Sequence, residues 1–189
     1  IEDVPDPAIH SPADAIVRVV RAAICGSDLH PYRSMPATSQ GRQMGHEFLG
    51  VIEDTGAEVT GLKRGDLVLS PFTYADNTCF WCRRGLQTSC PHGGRYGFDG
   101  VDGGQGEAVR VPQASGTLVK LPVTADPALL PSLMTLTDVF CTGHHAAGQV
   151  VLMGRHADRT DLGAGFGATG IVLASGEAGA EEVRKLTGG

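Results

Sequence analysis

Apolar and polar residues alternate over short stretches through the first two thirds of the chain, then recur at helical spacing in the last third. After an entry broken by Pro5, Pro7 and Pro12, the run Ala15-Ile-Val-Arg-Val-Val20 reads as a strand. Leu49 to Glu53 is a second. Asp66-Leu-Val-Leu-Ser70 is a third, reached after Gly56, Gly61 and Gly65 have interrupted the segment between. Ala108 to Val111 and Thr117 to Leu121 add two more, separated by Pro112 and Gly116. Short strands closed by glycine and proline predict a small β barrel or sandwich over residues 1–122.

The pattern changes after Pro122. Leu129, Leu130, Leu133, Met134, Leu136, Val139 and Phe140 follow helical spacing across a connecting segment, residues 123–147, with Pro131 in a first turn or at a kink. Val150-Val-Leu-Met153 then reads as a buried strand, Asp158 to Phe166 as a polar helix, Ile171-Val-Leu173 as a strand and Ala178 to Leu186 as a helix. This alternation predicts a parallel sheet in residues 148–189 and makes the chain α/β overall.

Composition narrows the partners. A hydrophobic share of 41% with 19% charged residues supports a packed core. Twenty-seven glycines without a collagen-like period suit a turn-rich β fold. The net charge of -6 argues against a nucleic-acid partner, which needs a basic footprint. No apolar run approaches the roughly 18 residues of a membrane span, and no leader is visible. The chain opens at Ile1 without a methionine, which suggests a trimmed or partial product. Five cysteines, an odd number with three of them clustered, fit reduced thiols in a cytoplasmic protein and metal binding better than cross-linking.

Two stretches carry the chemistry. Cys25-Gly-Ser-Asp-Leu-His30 and Gly45-His-Glu-Phe-Leu-Gly50 bring together a thiol, a hydroxyl, two carboxylates and two imidazoles. A catalytic zinc needs about three protein ligands and one open position, and Cys25 and His46 are candidates for two of the three. A lone cysteine or histidine is ordinarily a core residue; two clusters this rich in ligands outweigh that reading. Farther on, Asp76, Cys79, Cys82 and Cys90 form the pattern Asp-x2-Cys-x2-Cys-x7-Cys. Four ligands close a tetrahedron and leave no place for substrate, so such a site is structural. His92 competes with Asp76 for the fourth place. An isolated Cys-x2-Cys pair is often coincidental or a redox dithiol, and the third cysteine shifts the reading to metal.

With these motifs, and with Gly61-Leu-Lys-Arg-Gly-Asp66, Gly103-Gly-Gln-Gly-Glu-Ala108 and Thr137-Asp-Val-Phe-Cys-Thr-Gly143, the chain resembles the zinc-containing medium-chain alcohol dehydrogenases over nearly its whole length. It is most similar to members near the glutathione-independent formaldehyde dehydrogenases. The resemblance implies a GroES-like β barrel over residues 1–122, with a structural-zinc lobe at 76–92, followed by a Rossmann-type cofactor segment at 148–189. It implies a catalytic zinc on Cys25, His46 and Asp138, with Cys141 as a rival for the third ligand. Asp28 then orients the His46 ring, Glu47 lies beside the metal, Ser27 and His30 relay a proton, and Thr142 touches the nicotinamide. The implied reaction interconverts a small alcohol and an aldehyde or ketone using NAD or NADP, with two zinc ions per chain in a dimer or tetramer.

The family's dinucleotide loop, Gly-x-Gly-x-x-Gly between a strand and a helix, has no counterpart after Ala147, where Gly148-Gln149 runs straight into Val150. Gly165-Phe-Gly-Ala-Thr-Gly170 matches the letters but follows a helix and leads into a strand, the reverse of the required order. The Rossmann-type segment is therefore expected to be incomplete. The chain is then a piece or the ordered part of a longer protein, with a true internal deletion as the alternative. Arg155, after the strand ending at Met153, is a candidate for the 2′-phosphate of NADP. Two other functions stay open: a non-catalytic zinc-binding descendant of such an enzyme, and a zinc or redox sensor built on the cysteine lobe.

Overall fold

The computed structural model describes residues 3–34, 42–98, 100–122, 126–147, 151–165 and 168–187. These form two compact units, Ile1–Val139 and Phe140–Gly189, each taken by itself.

The first unit is built on the short strands that the alternation predicts. In chain order the elements of the unit, β4 and β5 among them unforeseen, are β1 (Ala15–Ala23), α1 (Leu29–Ser34), β2 (Glu47–Thr55), β3 (Leu67–Ser70), β4 (Thr73–Tyr74), β5 (Gly94–Arg95), β6 (Ala108–Val111), α2 (Ala114–Thr117), β7 (Val119–Lys120) and α3 (Leu130–Met134). Five strands make one antiparallel sheet in the order β6-β1-β2-β3-β7. Among the described residues its edge strands β6 and β7 are not hydrogen-bonded to each other, so the ladder is open. β4 and β5 pair as a separate two-stranded ribbon.

Both faces of the sheet are covered, and the period of two explains how. Phe48 and Ile52 on β2, with Val68 on β3, join Val17, Val109, Val111 and Tyr96 in one core. Their neighbours Leu49, Leu67 and Leu69 face the other way and pack with Leu130 and Met134 of α3. This double burial is why β3 is an unbroken buried run rather than an alternating one.

The helical spacing of residues 129–140 is interrupted. Pro131 stands in the first turn of α3, where its missing N–H costs nothing. A 3-10 turn over Thr135–Thr137 follows, and Asp138 then leaves the helical region at φ -147°, ψ -67°. α4 (Val139–Ala147) starts afresh after that break.

Beyond it, β8 (Val151–Met153) and β9 (Gly170–Val172) pair in parallel, with α5 (Ala157–Gly165) between them and α6 (Gly176–Thr187) after. The expected parallel pairing is present. The expected starts at Val150 and the end at Phe166, along with Gly167, lie outside the described residues. Val172 is the buried apolar side chain of this unit among the described residues, while Leu162, Leu173 and Leu186 are more than half exposed. No helix among the described residues is long and apolar enough to cross a membrane.

Candidate metal centres and the adjoining cavity

Cys25 leads into a 3-10 turn, Gly26–Asp28, and that turn closes on itself. The Cys25 N–H donates to Asp28 Oδ2 (2.9 Å) and the Asp28 N–H to the Cys25 carbonyl (3.1 Å). Asp28 is thereby buried with its second oxygen aimed at His46, whose Nδ1 lies 3.1 Å from Oδ1. A carboxylate only accepts, so Nδ1 carries the proton and the Nε2 lone pair faces away from Asp28. On that side stand Asp138 Oδ2, 3.7 Å from Nε2, and Ser27 Oγ, 3.5 Å from it. Cys25 Sγ is 4.0 Å from the same Asp138 oxygen. Glu47 completes the group: one donor atom each from Cys25, His46, Glu47 and Asp138 lie within 4.8 Å of one another. Glu47 is buried, with Oε2 3.3 Å from the Thr137 hydroxyl. Asp138 stands at the backbone break after Thr137, outside the helical region.

Gln105 was given no role by the sequence, yet it supports the arrangement. Its amide donates to Asp28 Oδ2 (3.0 Å) and to the Ala23 carbonyl (3.2 Å), holding Asp28 from behind. Gly45, at φ +96°, makes room for it: a Cβ there would overlap the Gln105 side chain. The only sequence signal was a polar amide set among glycines.

The cluster opens into a cavity of about 480 Å³ lined in part by Cys25, Ser27, His30, Arg42, Arg95 and Asp138. His30 is exposed on α1, and no hydrogen bond joins its side chain to Ser27. Thr142 and Cys141 are exposed on α4 in the C-terminal unit, and Cys141 is not in the four-donor group. Arg155 is exposed in the turn after β8.

The second group is Asp76, Cys79, Cys82 and Cys90, with donor atoms again within 4.8 Å of one another. No cysteine is in a disulfide. Cys79 Sγ and Cys90 Sγ are 3.9 Å apart, close to the edge of about 3.8 Å expected for two thiolates on one tetrahedral zinc with bonds of about 2.3 Å. Asp76 is fixed by the N–H groups of Thr78 (2.9 Å) and Cys79 (3.1 Å) on Oδ1, and by His92 Nδ1 (2.6 Å) on Oδ2. His92, the rival ligand, thus contacts the carboxylate and is not in the group of four. The His92 ring, then the two N–H groups, hold the Asp76 carboxyl well below the usual range. The Cys82 N–H pointing at its sulfur draws the Cys79 thiol down, whereas burial pushes the Cys82 thiol up to about 12. Three thiols and a carboxylate packed this closely suit a bound divalent cation, which compensates the charge that crowding disfavours.

A dinucleotide finds less here. α5 ends at Gly165 and β9 starts at Gly170, so a strand and not a helix N-terminus follows the glycine pattern. Gly176 opens α6 after β9, but Glu177 sets a carboxylate in that first turn, where a pyrophosphate would meet like charge. The described residues do not fit a pyrophosphate.

Comparison with known proteins agrees with the geometry. The model of the alcohol dehydrogenase GroES-like domain matches residues 11–123. The chain is 37% identical over 147 residues to zinc-type alcohol dehydrogenase B of Aspergillus flavus, covering 78% of this chain and 34% of that protein. It is 34% identical over 192 residues to the glutathione-independent formaldehyde dehydrogenase of Pseudomonas aeruginosa, covering 93% and 47%. The crystal structure of the alcohol dehydrogenase from Aeropyrum pernix superposes with a TM-score of 0.73 at 26% identity, over 100% of this chain and 64% of that one. The chain spans about a third to a half of the curated relatives it matches. The matched domain and these relatives together show that the chain belongs to the zinc-containing medium-chain alcohol dehydrogenase family.

Proposed function

We propose that this chain carries the catalytic half of a zinc-dependent oxidoreductase that interconverts an alcohol with an aldehyde or ketone by hydride exchange with NAD or NADP. The observation behind the reading is the convergence of Cys25, His46, Glu47 and Asp138, of which Cys25, His46 and Asp138 line a cavity large enough for a small substrate. Cys25, His46 and Asp138 hold the catalytic zinc, with Glu47 alongside. Asp76, Cys79, Cys82 and Cys90 hold a second, structural zinc. Zinc at the first site supplies Lewis-acid polarisation that makes a substrate hydroxyl easier to deprotonate.

The rest falls to the chain. Asp28 fixes the tautomer that leaves His46 Nε2 as a donor atom. Ser27, beside that nitrogen and facing the cavity, takes the substrate proton and passes it toward His30 and solvent; since the two side chains do not touch, a water or a rotamer change carries the second leg. Thr142 is assigned to the nicotinamide and Arg155 to the 2′-phosphate of NADP. Neither residue makes a pyrophosphate site.

That last point favours a second reading, a zinc protein without turnover. Equilibrium titration with NAD and with NADP separates the two. Binding of either by the zinc-loaded chain supports the enzyme; absence of both leaves the non-catalytic zinc protein.

A further inference from the structure

We propose that Arg110, which lines no part of the cavity, is a positioning residue: it holds the Phe98 wall in place and so sets how strongly the site takes a ligand with an apolar tail. The proposal rests on the function above and concerns the substrate end of that same site.

Arg110 lies on β6 between Val109 and Val111, and its side chain is buried. It joins segments that are far apart in sequence. Nη1 meets Asp14 Oδ2 at 3.4 Å, and the same oxygen accepts the N–H groups of His10 (3.1 Å) and Ser11 (3.0 Å). Nη2 donates to the Gly100 carbonyl (3.1 Å), and the Arg110 backbone N–H donates to Asp102 Oδ2 (3.0 Å). Backbone hydrogen bonds carry the tie on to the cavity. The Gly97 N–H is shared by the carbonyls of Val101 and Asp102, each at 3.0 Å, and the Val101 N–H donates to the Phe98 carbonyl (2.9 Å). Gly97 and Gly100, at φ +72° and +79°, supply the left-handed backbone that this doubling back requires. Gly97 and Phe98 line the cavity; Arg110, Gly100 and Asp102 do not. Phe98 is 42% exposed, so its own packing does little to fix it. Arg42 leans on the Phe98 ring and donates to the Gly97 carbonyl, which makes Arg110 the tie from behind.

Stability alone does not account for this arginine. Asp14 and Arg110 form a buried ion pair, and Arg110 Nε is buried with no acceptor among the described residues. A buried pair is weak support for stability, and an orphan donor is a cost. β6 is in any case paired to β1 from Ala108 to Val111 by the strand ladder. What the guanidinium adds is its fork, which reaches acceptors on two separate segments at once. It selects one placement of residues 100–102, and with it one placement of Phe98. The cavity, about 480 Å³, has room for a ring beside the metal donors. A wall fixed beforehand gives an apolar tail its contact with less ordering left to lose.

The test uses the protein with cobalt in place of zinc, without dinucleotide, because the visible bands of cobalt report ligand arrival at the metal. Imidazole and a phenyl-substituted imidazole are titrated; both offer the metal the same nitrogen, and one adds an apolar ring. The phenyl compound is expected to reach half-saturation at the lower concentration. Arg110→Met is expected to shrink that advantage by about two- to tenfold, the cost of ordering one side chain afresh. Asp102→Ala, which leaves the buried charges paired, is expected to shift it the same way and decides the matter if Arg110→Met does not fold. In a Phe98→Ala background neither change is expected to shrink it further. An advantage unchanged in the folded variants, even with a lower melting temperature, overturns the proposal and makes Arg110 a structural residue only. A loss that persists in full without the Phe98 ring overturns the route through that wall. Equal midpoints for the two imidazoles in the wild type overturn the inference while leaving the metal-centred reading in place. If neither disturbs the cobalt bands, the proposed function itself fails, and this inference with it.

Discussion

His46 is oriented by Asp28, and Asp28 by Gln105, so the donor atom at Nε2 depends on a residue that touches no metal candidate. Outer carboxylates and their partners commonly tune metal affinity by about ten- to a hundredfold. Gln105→Leu is therefore expected to weaken zinc at the Cys25–His46–Asp138 site by that factor in chelator competition, without altering zinc at the cysteine lobe. Gln105→Glu should weaken it further, by setting a second carboxylate against Asp28. Asp138→Asn tests the third ligand: the expected outcome is one tightly held zinc per chain instead of two, and unchanged stoichiometry would remove Asp138 from the site. Cys25 and His46 were legible in the sequence as ligand-rich motifs. Asp138 was not, on spacing alone, because a lone Asp in a helical stretch reads as a solvated edge. Its placement depends on a backbone break after Thr137 that apolar periodicity does not reveal. Gln105 escaped because an amide carries no ligand signature, and because its role depends on the space left by Gly45, a contact distant in sequence.

At the level of elements, β7 is a two-residue edge strand held to β3 by two register pairs and by Lys120, whose ammonium meets Asp66 Oδ1 at 2.8 Å. Lys120, together with the Lys63 N–H on the other oxygen, holds the Asp66 carboxyl below its ordinary range. A carboxyl lowered in the folded state stabilises it fully above the unfolded value of about 3.9, and that contribution disappears as pH falls through the folded value. The melting temperature of the wild type is thus expected to exceed that of Asp66→Asn most at neutral pH. The gap should close on acidification below about pH 4. A gap that stays constant with pH would show that the pair contributes nothing through ionisation. In the lobe, Cys82→Ser removes the buried member of the four donors and is expected to lower the melting midpoint of the zinc-loaded protein by at least about 5 °C. The strands of the main sheet were legible because each is a short apolar run between glycines or prolines. The β4–β5 ribbon was not, because two residues on each side leave no period to read. The stretch expected as a strand from Thr117 is instead the end of α2 followed by β7. There the Gln113 backbone, left-handed at φ +52°, starts a helical turn that propensity alone would not place.

Across the whole molecule the two units differ in what holds them. In the first, a five-stranded sheet is buried on both faces, and two groups of candidate metal donors stand beside it. In the second, two three-residue parallel strands have α5 and α6 for company. One buried valine, Val172, anchors this unit among the described residues, while Leu162, Leu173 and Leu186 stay largely in solvent. Parallel strands are normally covered on both faces and flanked by further strands, and a pair alone is marginal in water. Local opening should therefore be much easier in β8 and β9 than in β1, β2 and β3. Native-state hydrogen exchange on the intact chain is the direct measure. Amides of β8 and β9 are expected to exchange at least about a hundredfold faster than those of β2, a difference of about 3 kcal/mol in opening free energy. Stripping zinc with a chelator should then speed exchange around Cys25, His46 and the lobe while leaving β8 and β9 as they were, since both donor groups lie within the first unit. Equal protection in β2 and β9 would mean that the C-terminal pair draws stability from packing that its own residues do not supply.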